Sequence, residues 1–378
     1  MSTLQNRYLV KAILKDLSSK MVFLGGPRQV GKTTLAQGLL KNYHDGHPAY
    51  LNWDLDEHRH KIRNREWPAT EKIIVLDELH KMRGWRNLIK GFYDTLKRTH
   101  SFLVTGSARL DHFRKGGDSL LGRYHYYRLH PFSLPELGAS TQALRDLFTF
   151  GGFPEVLFEK DATNLKRWHR ARISRLVRTD LREIENVVEI DKMELLAEEL
   201  PNRVGSPLSV RNLAQDLLID PKTAKRWVEI LDSLYYCFQV APFGSAKINA
   251  VKKEQKLFLW DWSQVADEGP RFENMLASHL LKFCHFHEDV HGDRMELRYI
   301  RDVNKREVDF VVLKNKKPLF AVEAKLRSNP LDASIPYFAD RLNIPRYYQV
   351  HLEGETRAVR DDITICSFTV FCEIEGLV

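Results

Sequence analysis

Cysteine is scarce in this sequence. There are four in 378 residues, Cys237, Cys284, Cys366 and Cys372, and no two are spaced as CxxC. That excludes a disulfide framework and a zinc-ribbon pattern, and it fits a reducing compartment. Long apolar runs are also missing, and no stretch approaches the roughly eighteen residues of a membrane-crossing helix. The opening segment MSTLQNRYLVKAILKDL alternates charged and apolar residues and lacks the unbroken apolar stretch of a secretory signal. The expectation is a cytoplasmic protein with no membrane partner. Acid is in modest deficit: 50 Asp and Glu stand against 58 Lys and Arg, a net charge of +8. Such a balance favours acidic partners, nucleic acid first, without requiring them. At 43% hydrophobic and 29% charged the chain is globular, and its length suits two or three domains.

What is present starts at GGPRQVGKTTLAQGLL, residues 25–40. Gly26, Pro27, Arg28, Gln29, Val30, Gly31, Lys32 and Thr33 fill the pattern GxxxxGK[ST], a phosphate-binding loop, and Thr34 extends the ATP-binding set. Glycines let backbone N–H groups turn toward phosphate, Lys32 reaches the β- and γ-phosphates, and Thr33 ligates Mg²⁺. The spacing predicts a strand over 21–24 before the loop and a helix from about Lys32 after it, with its positive end toward the ligand. KIIVLDELHK, residues 72–81, supplies the second part. Ile73–Leu76 read as a buried parallel strand that delivers Asp77 to Mg²⁺ and Glu78 to the attacking water. HSFLVTGSARL, residues 100–110, reads as a third strand, whose Ser107 faces the γ-phosphate. Strands alternating with helices predict a doubly wound α/β domain with its ligand at the strand C-termini.

GGPRQVGKTTL, YLNWDLDE, VLDELHKMRGWRNLIKGFYD, LVTGSARL and LLGRYHYYRLHPFSLPE follow in order. Together they resemble the prokaryotic AAA-type ATPase family whose members carry a C-terminal DUF4143 region. The resemblance covers most of the chain. It implies the AAA+ fold, ATP as nucleotide with Mg²⁺, and Arg123 as a candidate arginine finger or sensor. A finger acting in trans implies a homo-oligomer; the competing role for Arg123 is a structural salt bridge.

GGFPEVLFE, residues 151–159, marks a boundary. In the basic stretch that follows, Arg167, Arg175, Arg178 and Arg182 fall within about an 80° helical arc. That arc is either a phosphate-contacting face or a solvated face paired with Asp180, Glu183 and Glu185. Residues 207–262 read as helix, turn, helix and β-hairpin, a winged helix-turn-helix. Ser209 caps the first helix over Leu213, Ala214 and Leu217. Asp220-Pro221 opens the second over Ala224, Trp227, Ile230 and Leu231. The strands CFQVAPF and KLFLWDW follow. Lys222, Thr223, Lys225 and Arg226 then form the exposed face for nucleic acid, DNA in particular. The alternative is a winged helix used only for packing or oligomer contact.

REVDFVVLKNKKPLFAVEAKL, residues 306–326, reads as a hairpin: strand 307–313, turn 314–317, strand 318–325. Asp309 and Glu323 converge at one end, with Lys325 on the face of Glu323. Two carboxylates for a divalent metal and a lysine for water or phosphate are the minimal apparatus for metal-assisted phosphodiester hydrolysis. The pattern D-x13-E-x-K resembles the PD-(D/E)xK nuclease family. That resemblance adds a helical glutamate, which Glu273 supplies. No proline precedes Asp309, a departure from the family pattern. The alternatives are a salt-bridged hairpin or a nuclease fold that only binds. CHFHEDVH, residues 284–291, matches no standard zinc spacing and is expected to be a polar loop.

The expected architecture is α/β throughout. It has an AAA+ ATPase domain over residues 1–150, a helical linker with winged helix-turn-helix over 151–262, and an α/β restriction-endonuclease-like domain over 263–378. The leading expectation is a Mg²⁺-dependent ATPase coupled to nucleic-acid binding and a nuclease-like domain in DNA processing or defence. The alternative is a non-cleaving switch ATPase whose C-terminal half binds DNA or a protein partner.

Overall fold

Of four strand-forming segments in the first third of the chain, three are apolar and buried along nearly their whole length, the pattern of a parallel sheet covered on both faces, and the fourth, 50–52, buries only Leu51. In the computed structural model, which describes residues 7–106, 120–180, 189–244 and 254–378, they form strands. These are β1 (Met21–Gly25), β2 (Tyr50–Asn52), β3 (Ile73–Asp77) and β4 (Ser101–Thr105), with a more exposed β5 (Tyr124–Arg128) at one edge. All pairings are parallel, in the order β2-β3-β4-β1-β5. The break in strand order beside β1 is where the phosphate loop emerges, and the helix Lys32–Gly38 starts at the expected residue.

The chain divides into two compact units. One is Met1–Pro131 with Asp289–His291, the other Phe132–Glu288 with Gly292–Val378. The expected ATPase boundary at residue 150 therefore differs from the observed one at 131. Residues 132–150 are tied into the second unit by buried polar contacts. The Trp262 indole N–H donates to Leu147 O at 2.9 Å, and the Lys282 ammonium donates to Ser133 Oγ at 2.8 Å and pairs with Glu136. His279 Nε2 accepts from the Leu134 N–H at 3.1 Å, while its Nδ1 meets Met275 O at 2.7 Å. Burial pushes the His279 imidazole down to about 3, so it stays neutral and can accept.

The second unit is built on an eight-stranded sheet: β6 (Cys237–Pro242), β7 (Lys256–Leu259), β8 (Met295–Arg301), β9 (Glu307–Lys314), β10 (Lys317–Lys325), β11 (Tyr347–His351), β12 (Arg357–Arg360) and β13 (Ile363–Ser367). The order is β12-β13-β11-β10-β9-β8-β6-β7. β8, β9 and β10 run antiparallel, and β10, β11 and β13 are parallel. The helix Glu268–Phe286 lies across β7 to β10 and buries Phe272, Met275, Leu276, Leu280 and Phe283.

Two expectations change here. The helices Val210–Asp216 and Pro221–Ser233 form as read. Ser209 accepts from the Asn212 N–H and Asp220 from the Lys222 N–H. The hairpin β6–β7 also forms, with Cys237 opposite Leu259. It is not a free wing, however. β6 pairs in parallel with β8 through Ala241 and Pro242, so the hairpin is the edge of the large sheet. The apolar faces of both strands explain this, since a hairpin buried on both sides needs a sheet to join. Second, CHFHEDVH is no loop. It completes the helix Glu268–Phe286 and a π-turn over His287–His291, with Cys284 buried.

Candidate functional site: a phosphate loop and a buried acid-lysine cluster

Gly26 has φ +139°, and a Cβ there would come within 2.4 Å of Leu129 O, so only glycine allows the loop to lie against β5. Gly31, at φ +95°, turns the chain into the helix Lys32–Gly38. Between them Val30 is fully buried and anchors the loop, while Arg28 and Gln29 are half-buried and Thr34 is exposed. The Lys32 ammonium, 7% exposed, donates to the carbonyls of Gly26 at 3.0 Å and Pro27 at 2.6 Å. It is thus held inside the curl of its own loop, where a phosphate chain would sit.

Asp77 ends β3 and is buried. Its carboxylate accepts from three hydroxyls: Thr33 Oγ1 at 2.9 Å and Tyr50 Oη at 2.7 Å on Oδ2, and Thr105 Oγ1 on Oδ1. Tyr50 and Thr105 come from β2 and β4, the two neighbours of β3; Thr105 lies opposite Asp77 and Tyr50 opposite Val75, two residues before it. Neither is visible as a partner of Asp77 in the sequence; the only hint is that Thr105 ends an apolar run. The Thr33–Asp77 contact places one hydroxyl and one carboxylate side by side, and these are the residues that fit Mg²⁺.

Glu78 follows in the left-handed region at φ +56°, a conformation that costs a non-glycine residue on the order of 1 kcal/mol. Its N–H is tied to Thr105 O at 3.0 Å, which holds the turn. Glu78 Oε2 is buried and has no hydrogen-bond partner among the described residues. The Lys81 ammonium is 3.5 Å away and His80 Nε2 3.7 Å. Burial raises the Glu78 carboxyl above the ordinary range, with Lys81 opposing and Asp77 reinforcing. Burial also pushes His80 down to about 4, so its imidazole is neutral at physiological pH. A half-satisfied, base-strengthened carboxylate beside the phosphate loop is suited to polarising a water.

Ser107 lies outside the described residues. Arg123 is not brought to the phosphate loop of its own chain. Its carbonyl accepts from the Met21 N–H, at the start of β1, so the length of that strand, about 16 Å at 3.3 Å per residue, separates it from the loop. Its guanidinium forms a two-pronged ion pair with Asp94, at 2.9 and 3.2 Å. Arg178 similarly pairs with Glu194 at 2.7 Å and Asp191 at 3.3 Å, while Arg182, Glu183 and Glu185 lie outside the described residues. On the helix Pro221–Ser233, Lys222, Lys225 and Arg226 are exposed and Thr223 half-buried, opposite a buried face of Ala224, Trp227, Val228, Ile230 and Leu231.

The hairpin β9–β10 does bring Asp309 and Glu323 together. The Asp309 N–H donates to Glu323 Oε2 at 3.1 Å, and both carboxylates are buried. Lys325 reaches Glu323 Oε1 at 2.7 Å and Asp332 at 2.9 Å. Glu273 arrives because its neighbour Asn274, fully buried, clamps the edge strand β7 through both Leu259 backbone groups, at 2.9 and 2.7 Å. That clamp also delivers a residue the sequence reading passed over. Lys256, on β7 and 1% exposed, places its ammonium 2.9 Å from Glu273, 2.5 Å from Glu307 and 3.1 Å from Asp309. Burial works against that charge, but Asp309, Glu273 and Glu307 outweigh it and hold the lysine protonated. Burial and the Asp309 charge push the Glu273 carboxyl up to about 8 and that of Glu323 up to about 9.

The expected metal set Asp309, Glu323 and Glu273 does not stand as a metal site. Among the described residues no group of three or more His, Cys, Asp or Glu is arranged to hold an ion. Each carboxylate is already engaged: Asp309 by Lys256 and the Ala324 N–H, Glu323 by Lys325 and the Asp309 N–H, Glu273 by Lys256.

Residues 18–138 match the AAA domain family AAA_14, and residues 268–371 match DUF4143, a domain of unknown function. This chain carries an AAA-type domain and a DUF4143 region. Between them, residues 141–266 match DUF8612, also a domain of unknown function. An uncharacterised protein of Mycobacterium tuberculosis is 23% identical over 245 residues, 64% of this chain and 54% of that protein. One from Methanocaldococcus jannaschii is 20% identical over 376 residues, 90% of this chain and 82% of that protein. The chain thus spans about half the length of the mycobacterial relative. Among solved structures, the RuvB Holliday junction branch migration motor of Thermotoga maritima is 16% identical, with 61% of this chain and 87% of that one covered. Its TM-score is 0.32, too loose a likeness to bear on function. No described helix is long and apolar enough to cross a membrane.

Proposed function

We propose that the AAA-type domain binds ATP with Mg²⁺ and hydrolyses it. The observation that carries this reading is the Thr33–Asp77 contact of 2.9 Å beside the Lys32 ammonium at the mouth of the glycine loop. Lys32 neutralises phosphate charge by leaving its loop carbonyls. Thr33 and Asp77 would hold Mg²⁺, which screens the phosphates when bound. Tyr50 and Thr105 fix the Asp77 carboxylate, and Glu78 takes the proton of the attacking water. Lys32→Ala should cut ATP affinity at least tenfold and remove turnover, measured by fluorescent-nucleotide titration and phosphate release. Turnover at the wild-type rate would sink the reading.

The nucleotide cycle is proposed to act on nucleic-acid binding, with the helix Pro221–Ser233 as the contact. Lys222, Lys225 and Arg226 crowd the first six residues of that helix, where the helix dipole disfavours cations. A phosphate there would gain from both the side chains and the helix end. The triple substitution Lys222→Ala, Lys225→Ala, Arg226→Ala should weaken duplex DNA binding. It should also lower the slope of log K against log salt by about 2 to 3, since each lost phosphate contact removes about 0.9. An unchanged slope in fluorescence anisotropy would favour the protein-partner alternative. Cleavage is not part of this reading.

A further inference from the structure

A nuclease-like acid cluster works only if a divalent ion can reach it. Here the position between Glu273, Glu307 and Asp309 is filled from within the chain. The Lys256 ammonium sits 2.5 to 3.1 Å from an oxygen of each. Its charge is supplied permanently, and its three donors take up the carboxylate oxygens that would face an ion.

The cluster is also roofed. Val204 and Pro207 bridge to β7 at Leu257 and Lys256, and the Gly205 N–H donates to Leu257 O at 3.2 Å. Gly205, at φ +76°, lies so close to the Glu273 carboxylate that a Cβ would come within 2.6 Å of Glu273 Oε2. The Tyr299 ring centroid is 5.6 Å from Lys256 Nζ. An ion of two positive charges would have to displace a buried ammonium, and close repulsion forbids both at once.

We propose that Lys256 is the resident cation of this site: its ammonium occupies the place of a divalent metal ion and makes the DUF4143 region a non-cleaving, metal-independent fold. Removing the ammonium should convert the same carboxylates into a divalent-cation site, because Glu273, Glu307 and Asp309 would then converge on an emptied position with oxygen ligands of the kind Mg²⁺ and Mn²⁺ prefer. This inference is independent of ATP turnover, which belongs to the other unit.

The test is Mn²⁺ titration of the full chain without nucleotide, read by electron paramagnetic resonance of free Mn²⁺. Comparison with Asp309→Asn isolates this site from any ion held at Thr33 and Asp77. Wild type and Asp309→Asn should bind the same number of Mn²⁺ ions. Lys256→Met should bind one more, and Lys256→Met with Asp309→Asn should lose it again. Loss of a bound ion in Asp309→Asn alone would overturn the proposal, as would a folded Lys256→Met that gains none. If Lys256→Met does not fold, the pair wild type and Asp309→Asn still decides. Incubation of wild type with linear and branched DNA in Mg²⁺ or Mn²⁺ should leave the DNA intact. Cleavage that Asp309→Asn abolishes would overturn the proposal.

Discussion

Glu78→Gln should lower ATP turnover about 100-fold or more while leaving nucleotide affinity within a few-fold of wild type. The substitution keeps the shape of the side chain, spares the Thr33–Asp77 pair and removes only the basic oxygen. The orphaned Oε2 makes the case, since a buried carboxylate oxygen without a donor is costly unless a ligand or water uses it. The pH profile gives an independent reading. Glu78 is a carboxyl whose folded pKa lies above its ordinary value, because burial disfavours the anion. The active form is the anion, so turnover should fall on acidification at a pH above the usual glutamate range, and the acid limb should vanish in the residual activity of Glu78→Gln. The stability sign runs the other way. A raised folded pKa means that the buried anion costs stability as pH rises through it, so Glu78→Gln should melt no lower than wild type at neutral pH. Loss of turnover accompanied by a lower melting temperature would point to damage, not to a lost base.

Lys256→Met should be among the most destabilising substitutions in the chain. It removes a buried cation from three acids at once, and breaking a buried ion pair from one side costs about 3 to 5 kcal/mol. For a unit of this size that is about 10 °C in melting temperature. The cost comes from the acids left behind, so Lys256→Met with Glu273→Gln should recover part of it. Scanning calorimetry checks both. A single variant that melts within about 2 °C of wild type would mean that the cluster relaxes onto water without penalty.

The parts of this protein that could be read from the sequence are those whose residues lie close along the chain. Gly26, Gly31, Lys32 and Thr33 form one turn of backbone, and their geometry follows from glycine's access to positive φ and from the helix that begins at Lys32. The hairpin of Asp309 and Glu323 was equally legible: with period-two strands and a short turn, convergence of the two carboxylates is nearly forced. Ser209 and Asp220 capped their helices for the same local reason.

What only tertiary structure decided involves residues brought from distant strands. Thr105 and Tyr50 reach Asp77 because parallel pairing sets Thr105 opposite Asp77 and Tyr50 opposite Val75, and no sequence spacing encodes that register. The hairpin read as a wing is equally good at extending a sheet, and its two apolar faces met one. That joining carried Lys256, which the sequence assigned to a different module, into the centre of Glu273, Glu307 and Asp309. A pattern of two acids and a lysine states which groups are near the turn. Whether their charge is met by an ion or by an ammonium depends on what a strand some fifty residues earlier places between them. Packing and burial make that choice, because a low-dielectric pocket demands a cation but does not specify which one.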